Sequence, residues 1–274
     1  MIKFEHTLFA LPFALIGALL AAKGLPTAWQ AGWIIAAMVG ARSSAMTFNR
    51  IADLRYDKLN PRTSGRALPR GNLSIQFAVV FTIGMSALFI LSAWQLNRLC
   101  FYLSFPTLAI LLLYSYTKRF TSLSHVVLGF AVGCAPLAAW LAIRGEFAWP
   151  PILLSAAVMF WVAGFDLIYA LQDIDFDRKA KLFSLPSRFG IATALRVSTL
   201  FHVLTVLLLT ATATLVNLGW MAYIGIAIVA GILYWEHRLV TPQDLSRINV
   251  AFFNLNGYIS ILLLLTFAGD ILLK

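Results

Sequence analysis

The chain has 274 residues, of which 61% are hydrophobic and 12% are charged, and its formal net charge is +10. Soluble proteins average about 25% charged residues, so this composition excludes an ordinary soluble protein and predicts one embedded in a membrane. The basic residues are spread over several loops rather than gathered in one cluster. We therefore expect a lipid bilayer around the protein and no nucleic-acid partner.

In chain order, nine apolar runs are long enough to cross a hydrocarbon layer of about 30 Å as helices. Inside a bilayer the backbone must satisfy its own hydrogen bonds, which excludes open sheets. The predicted transmembrane helices lie near residues 8–22, 29–48, 74–93, 98–116, 124–143, 150–172, 193–214, 218–236 and 251–273. No soluble segment of any size separates them, so we expect a single all-α membrane domain over residues 1–274 and no obligate protein partner.

Most of the Lys and Arg residues fall on one side of the membrane when nine helices are threaded. That side carries Lys3, the 50–70 loop, Lys118, Arg119, the 178–196 segment, Arg238 and Arg247. Cytoplasmic loops are enriched in positive charge. We therefore expect the N-terminus and these loops to be cytoplasmic.

Four polar residues share one face at the end of the second predicted helix. Asn49, Asp53 and Asp57 recur every four residues, and such positions stack along one side of a helix with 3.6 residues per turn. Arg42 precedes Asn49 by seven residues and lies on the same face. An Arg inside a membrane bundle pairs with an anion, so Arg42 is either part of a structural ion pair or a ligand contact.

The segment 58–71 is rich in Pro, Gly and Arg, which breaks the helix. Its Arg62, Arg66 and Arg70 are spaced every four residues. Two interpretations remain open at this point. Either these arginines only set the topology through their charge, or they form a basic lid over an anion held beside the acidic residues.

The segment YSYTKRF, between the fourth and fifth predicted helices, carries Lys118 and Arg119 directly after two tyrosines. Tyrosine is enriched at the membrane–water boundary, and Lys and Arg are enriched on the cytoplasmic side. Taken alone, this segment indicates only the edge of the membrane.

A second acidic stripe ends the sixth predicted helix. Asp166, Tyr169, Asp173 and Asp177 follow at steps of three, four and four and share a face, while Asp175 falls on the far side. Like the first stripe, this one ends an even-numbered helix and precedes a basic loop. Six of the chain's eleven acidic residues belong to these two short stretches, and such a concentration of charge near a bilayer needs partners.

The chemistry of the two stripes suits a metal and a phosphate. Mg²⁺ prefers oxygen ligands and usually takes one or two carboxylates from a protein, with phosphate and water completing its shell. Two acidic faces opposed across a cavity predict Mg²⁺ ions bridged by a diphosphate, with loop Arg and Lys on the remaining phosphate oxygens. An interior with 21 Phe, 8 Trp and 8 Tyr can accept a lipid tail and stabilise an allylic cation.

The two motifs also carry a resemblance. N-x-x-x-D-x-x-x-D from Asn49 to Asp57, followed by NPRTSGRALPRG, and Y-A-x-Q-D-x-x-x-D from Tyr169 to Asp177 resemble the two signature motifs of the UbiA superfamily of intramembrane aromatic prenyltransferases. Arg42, YSYTKRF and the nine-helix layout extend the resemblance over nearly the whole chain. It implies a UbiA-like bundle of nine helices around a central cavity, with Mg²⁺ as cofactor.

Within that superfamily, the opening IKFEHTLFALPFALIGALLAA, the NR start of the first motif and the ending SLPSRFG are most similar to the 4-hydroxybenzoate polyprenyltransferase-like branch. This branch includes members assigned to menaquinone synthesis by the futalosine route. The resemblance implies a transferase of ubiquinone or menaquinone biosynthesis, in the inner (plasma) membrane of a bacterium. Its substrates would be a polyprenyl diphosphate and an aromatic acid such as 4-hydroxybenzoate, and diphosphate would be released.

The resemblance also implies roles for the matching residues. The implied ligands of Mg²⁺ and diphosphate are Asn49, Asp53, Asp57, Asp173 and Asp177, and the four aspartates are the implied catalytic residues. The implied substrate-binding residues are Arg42, Asn49, Arg62, Arg66, Lys118, Arg119, Asp166 and Tyr169.

Two questions stay open. Ubiquinone-type members commonly continue the second motif into a Lys-Ser-Thr-like segment, where this chain reads LFSLPS. Hydroxynaphthoate, haem and glycerol-phosphate lipid acceptors are therefore alternatives. Either Arg42 or Arg188 would bind the carboxylate of an aromatic acid. From another class of protein, an ion-coupled secondary transporter also uses carboxylates and internal repeats. Its carboxylates would lie near the bilayer midplane, whereas these lie at helix ends beside basic loops.

Overall fold

A computed structural model describes residues 7–273, apart from the side chains of residues 7–9 and 253. Lys3 and the expected cytoplasmic N-terminus lie outside the described residues. Between residues 7 and 273 the chain forms α-helices and no β-strand, so the all-α prediction is confirmed. The α-helices are α1 (Thr7–Ala22), α2 (Ala28–Ala52), α3 (Leu54–Leu59), α4 (Ile75–Leu96), α5 (Arg98–Leu113), α6 (Ser124–Arg144), α7 (Trp149–Ala170), α8 (Ile174–Lys179), α9 (Leu185–Phe189), α10 (Ile191–Leu215), α11 (Trp220–Leu239) and α12 (Asn256–Leu272).

Three further helical segments extend the long helices. Two are 3₁₀ turns, Tyr114–Arg119 after α5 and Leu171–Asp173 after α7, and one is a π-helix, Val250–Leu255, which leads into α12. Such irregular turns change the direction of side chains without ending the helical course of the chain.

Nine helices in the described part of the chain have 16 residues or more, and each overlaps one of the nine predicted runs. Six segments are long and apolar enough to cross a membrane. They are Ile75–Leu96, Arg98–Arg119, Ser124–Arg144, Trp149–Lys179, Ile191–Leu215 and Val250–Leu272. Because α1, α2 and α11 are not among these segments, nine membrane crossings stay a prediction.

The outer surface of the bundle is apolar. Val80 is 69% exposed, Leu265 is 65% exposed and Trp220 is 67% exposed. Water-soluble monomers rarely expose extensive apolar patches, so a surface of this kind fits contact with lipid.

The core lies between α1, α7, α10, α11 and α12. Trp161 of α7 is buried against Phe13 of α1 and Phe165 of its own helix, with ring centroids 5.1 and 5.0 Å apart. On the other side of α7, Gly129 and Gly133 let α6 approach closely, since a Cβ at Gly133 would meet the carbonyl oxygen of Ser155 at 2.8 Å. This close contact fixes α6 beside α7, and α7 carries the second acidic motif.

Both acidic motifs lie at a break in the helix, which the sequence did not predict. Asp53 (φ −94°, ψ 5°) ends α2 and precedes the six-residue α3, and Asp173 (φ −105°, ψ 5°) precedes the six-residue α8. These dihedral angles belong to the sparsely populated bridge region, where active-site residues are often found. Asp is also a weak helix former because its side chain competes for backbone donors. The helix expected near residues 150–172 is confirmed as α7, and its course continues in the 3₁₀ turn Leu171–Asp173.

Candidate active site

The two motifs face each other across one polar cavity of about 210 Å³. A cavity of this size has room for a charged headgroup. Ten of the residues predicted from the sequence line it. They are Asn49, Asp53, Asp57, Arg62, Arg66, Lys118, Arg119, Asp166, Asp173 and Asp177.

The first acidic motif is tied to the loop that follows it. Arg66 donates from Nη1 to both carboxylate oxygens of Asp57, at 2.7 and 2.8 Å. Thr63 Oγ1 donates to the carbonyl oxygen of Asp57 at 3.1 Å. The loop therefore folds back over α3 and brings its arginines into the cavity.

The same loop reaches the second motif. Arg62 donates from Nε to Asp173 Oδ1 at 2.9 Å and from Nη2 to Asp173 Oδ2 at 2.5 Å. Asn60 Nδ2 donates to Asp173 Oδ1 at 3.0 Å, while Asn60 Oδ1 accepts from the Arg62 backbone N–H at 2.9 Å. Arg62 and Arg66 thus each pair with an aspartate in the cavity, whereas Arg70 does not line it. The lid interpretation stays a prediction.

Two predicted site residues lie outside the cavity lining. Tyr169 accepts a hydrogen bond from Arg62 Nη1 at 2.9 Å and stacks on Phe252 of the π-helix, with ring centroids 4.0 Å apart. It therefore contacts the cavity through Arg62. Arg42 lies in α2, eleven residues before Asp53, which corresponds to about 16 Å along a helix axis, and it does not line the cavity.

The 3₁₀ turn after α5 brings cations to the first motif. Arg119 Nη2 donates to the carbonyl oxygen of Ala52 at 2.6 Å and lies 3.8 Å from Asp53 Oδ1. Its guanidinium also lies over the Tyr116 ring, 4.5 Å from the centroid. Arg119 thus satisfies a carbonyl at the C-terminus of α2, where the helix dipole favours positive charge.

The electrostatic surroundings of Asp53 are mixed. Burial, reinforced by the negative charge of Asp57, raises the pKa of the Asp53 carboxyl, and Lys118 and Arg119 act in the opposite direction. Asn49 Nδ2 donates to Asp53 Oδ2 at 3.0 Å and also favours the ionised form. Asp53 is therefore a carboxylate whose negative charge is only partly compensated by its protein neighbours.

Sequence reasoning missed several polar residues of the site. Arg50, Asn60 and Tyr114 line the cavity, and Arg50 interacts electrostatically with Asp53 and Asp57. The signal for Arg50 was its place beside Asn49 in the first motif, although the sequence assigned its charge to topology. His125, which is hydrogen-bonded to Asp166, was also missed because nothing in its local sequence points to a partner 41 residues away.

The donors in the cavity fit Mg²⁺ held together with phosphate. Among residues 7–273, no three His, Cys, Asp or Glu side chains are placed to form a metal centre made of protein alone. Each motif supplies two carboxylates instead, which is the share Mg²⁺ usually takes from a protein when phosphate and water complete its shell. Asp177 Oδ2 is buried and accepts no hydrogen bond from any described residue, and a cation would satisfy this oxygen.

Fold and cavity together describe a helical membrane protein with one charged cavity between two acidic helix ends. A model of the UbiA prenyltransferase family matches residues 10–258. The chain belongs to the UbiA prenyltransferase family, and the resemblance carried by its motifs is confirmed.

Individual relatives agree with this assignment. The 4-hydroxybenzoate octaprenyltransferase of Klebsiella pneumoniae is 30% identical over 90% of this chain and 85% of its own length. A UbiA homolog from Aeropyrum pernix K1, solved in its apo form, is 37% identical with a TM-score of 0.90 and covers 99% of this chain and 100% of its own. A UbiA homolog from Archaeoglobus fulgidus bound to DMAPP and Mg²⁺ shares the fold at 20% identity, with a TM-score of 0.68 and coverage of 94% and 97%.

Proposed function

We propose that the protein is a Mg²⁺-dependent aromatic prenyltransferase of quinone biosynthesis. It moves a polyprenyl group from polyprenyl diphosphate to an aromatic acid such as 4-hydroxybenzoate and releases diphosphate. The observation that carries this proposal is the opposition of two acidic helix ends across one small cavity whose loop supplies arginines. The name of the Klebsiella pneumoniae relative supports the acceptor, and the DMAPP and Mg²⁺ bound to the Archaeoglobus fulgidus homolog support the donor and the cofactor.

The carboxylates of the two motifs hold the metal in this proposal. Asp53 and Asp57, with Asn49, form one set of ligands, and Asp173 and Asp177 form the other. Bound Mg²⁺ supplies electrostatic stabilisation for the departing diphosphate. The four aspartates are the residues on which catalysis depends most strongly.

The cations of the cavity bind the diphosphate. Arg62 and Arg66 enter the cavity from the loop, and Lys118 and Arg119 enter it from the 3₁₀ turn. Guanidinium groups bind phosphate with two parallel hydrogen bonds, which fixes the orientation of the leaving group. Arg50 lines the same cavity, and we add it to these contacts.

The reaction is an electrophilic aromatic substitution. The bond between C1 of the prenyl group and the diphosphate oxygen breaks, and its electron pair leaves with the diphosphate. Ring electrons of the acceptor then form the new carbon–carbon bond at a position ortho to the hydroxyl group. The ring loses a proton from that carbon and becomes aromatic again.

Arg42 is the proposed partner of the acceptor carboxylate. It lies deeper along α2 than the acidic motif, and a guanidinium group matches a carboxylate with two parallel hydrogen bonds. Arg188, the other residue considered, lies exposed on α9 with its guanidinium over the Phe189 ring. This placement favours Arg42.

In the proposed topology α1, α2 and α11 also cross the membrane, which gives nine crossings and cytoplasmic active-site loops. The basic loop between α3 and α4 and the segment Arg178–Arg196 then lie on the same side as the cavity mouth, as the positive-inside rule requires. The membrane is the inner membrane of a bacterium.

The function is tested with the purified protein in liposomes, radiolabelled geranyl diphosphate and a panel of acceptors led by 4-hydroxybenzoate. A prenylated acid that forms with Mg²⁺ and not with EDTA supports the proposal. If product forms only with a hydroxynaphthoate, the proposed reaction is supported and the proposed acceptor is wrong. Uptake of a solute without any prenylated product would support the transporter alternative and contradict the proposed function.

A further inference from the structure

A histidine and an aspartate form a polar contact between α6 and α7 beside the cavity. His125 is the second residue of α6, and its side chain is only 1% exposed. Its Nδ1 lies 2.7 Å from Oδ2 of Asp166, in the last turn but one of α7. Since 41 residues separate the two, the contact exists only because the close packing of α6 against α7 brings them together.

The two partners differ in their access to the cavity. Asp166 lines the cavity and its side chain is 19% exposed, whereas His125 lies behind it and does not line the cavity. In the part of the chain that the structure describes, the hydrogen bond of Asp166 is made through Oδ2. Oδ1 is therefore the oxygen left for a substrate.

The histidine can act only as a fixed donor. His125 Nε2 is buried and has no hydrogen-bond partner among the described residues. A proton on Nε2 would be an unsatisfied buried donor, which costs free energy. The ring therefore carries its proton on Nδ1 and donates it to Asp166 Oδ2, which fixes the rotation of the carboxylate.

Asp166 differs from the other cavity carboxylates in its charged neighbours. Lys118 and Tyr114, from the 3₁₀ turn after α5, interact electrostatically with Asp166, and Asp177 interacts with His125. Among the described residues, Asp166 forms no salt bridge with an arginine, in contrast to Asp57 and Asp173 of the two acidic helix ends. It is thus a cavity carboxylate aligned by the Nδ1–H of His125 rather than one paired with an arginine.

We propose that His125 is a positioning residue that holds Asp166 with Oδ1 facing the aromatic acceptor, and that Asp166 is the base that takes the ring proton. This inference rests on the proposed function. When the new carbon–carbon bond has formed, the ring C–H bond breaks, its electron pair restores aromaticity, and the proton passes to Asp166 Oδ1. The carboxylic acid then returns this proton to water.

The decisive measurement is the isotope effect of the acceptor ring. With 4-hydroxybenzoate deuterated at both positions ortho to the hydroxyl, we expect no primary effect on kcat in the wild type, because a well-placed base makes proton removal fast. In His125→Ala we expect kcat to fall about ten- to a hundredfold, as misplaced catalytic groups do, and a primary isotope effect to emerge. The KM for the prenyl diphosphate should stay within about threefold, because His125 does not touch the diphosphate site.

Matched variants separate positioning from packing. His125→Gln retains a side-chain donor and should recover most of the lost kcat without the isotope effect. Asp166→Asn keeps an oxygen for His125 at unchanged volume but cannot accept the proton, so it should lose kcat and show the isotope effect at an unchanged Tm. His202→Gln alters another buried histidine, away from the cavity, and should keep the wild-type isotope effect.

The outcomes of these experiments distinguish a failure of this inference from a failure of the proposed function. A wild-type protein that prenylates no aromatic acceptor overturns both. If the wild type is active, a His125→Ala variant with the wild-type isotope effect, or one whose loss appears in the KM for the diphosphate, overturns the positioning role alone. An Asp166→Asn variant with normal kcat also overturns this inference and leaves the proposed function intact, even if the His125 variants do not fold.

Discussion

Arg62 and Asp173, separated by 111 residues, are joined by two parallel hydrogen bonds of 2.9 and 2.5 Å. This contact links the loop after the first motif to the helix break of the second. It also occupies both oxygens of a carboxylate that we propose as a metal ligand. We therefore expect Arg62 to leave Asp173 and bind phosphate when Mg²⁺ and diphosphate enter the site.

This exchange predicts opposite effects of Arg62→Ala on two ligands. Without Arg62, Asp173 is open to a cation, so Mg²⁺ alone should raise the Tm of the variant more than that of the wild type. The KM for the prenyl diphosphate should rise about ten- to a hundredfold, since a charge-assisted hydrogen bond contributes about 1.5–3 kcal/mol. Thermal unfolding with Mg²⁺ and steady-state kinetics measure the two effects.

Arg55→Ala is the matched control for this prediction. Arg55 lies exposed on α3 and outside the cavity, so its removal should change neither the response to Mg²⁺ nor the KM. An Arg62→Ala variant that behaves like this control would show that Arg62 contacts neither the metal site nor the diphosphate.

The two acidic residues of α8 provide a second test. Asp177 is 2% exposed and lines the cavity, whereas Asp175 is exposed on the opposite side of the same short helix. Asp177→Asn should lower kcat about a hundredfold or more, because even residues behind metal ligands contribute 10–100-fold. Asp175→Asn should stay within about twofold of the wild type. If the two variants are equally active in the liposome assay, Asp177 is not a ligand of the metal.

The surroundings of Asp53 predict a pH-dependent cost in stability. Its pKa is raised mainly by burial, so the folded protein binds this proton more tightly than the unfolded chain, and the contribution to stability falls as the pH rises. In EDTA at pH 7, Asp53→Asn should therefore unfold about 2 °C above the wild type. The difference should shrink as the pH approaches the ordinary value of 3.8.

Adding Mg²⁺ and diphosphate should reverse this order, because only the wild type gains the metal contact. Thermal unfolding at pH 7 and pH 4.5, with and without the ligands, measures both effects. A variant that is less stable than the wild type in EDTA would show that Asp53 stabilises the fold through its charge.

The helical positions and most of the site were predictable from the sequence because their causes are local. An apolar run long enough to span a bilayer is read directly, and the spacing of Asn49, Asp53 and Asp57 places them on one side. The three side chains still share one face although the helix breaks at Asp53, because the Asp57 N–H donates to the Asp53 carbonyl oxygen at 2.8 Å. Asp175 likewise faces away from the cavity, as its spacing indicated.

Pairings between distant parts of the chain were not predictable. Neither the contact of Arg62 with Asp173 nor that of His125 with Asp166 follows from spacing, since each depends on how separate helices pack. The same holds for His202, whose Nδ1 lies 3.0 Å from Nε2 of His237, 35 residues further along the chain. Helix periodicity places a residue on a face, and tertiary packing decides what that face meets.

The contact that aligns α6 with α7 gives a last prediction. A Cβ at Gly129 would collide with the carbonyl oxygen of Met159, while a Cβ at Gly84 of α4 meets no atom of the described residues within 4 Å. Gly129→Ala should lower the Tm by roughly 5 °C, as overpacking costs about 1–3 kcal/mol. It should also lower kcat, because Gly129 lies one turn after His125. Gly84→Ala should lower neither, since Ala is the better helix former where a Cβ has room. A Gly129→Ala variant with equally unlowered Tm and kcat would show that the two helices do not need this close approach.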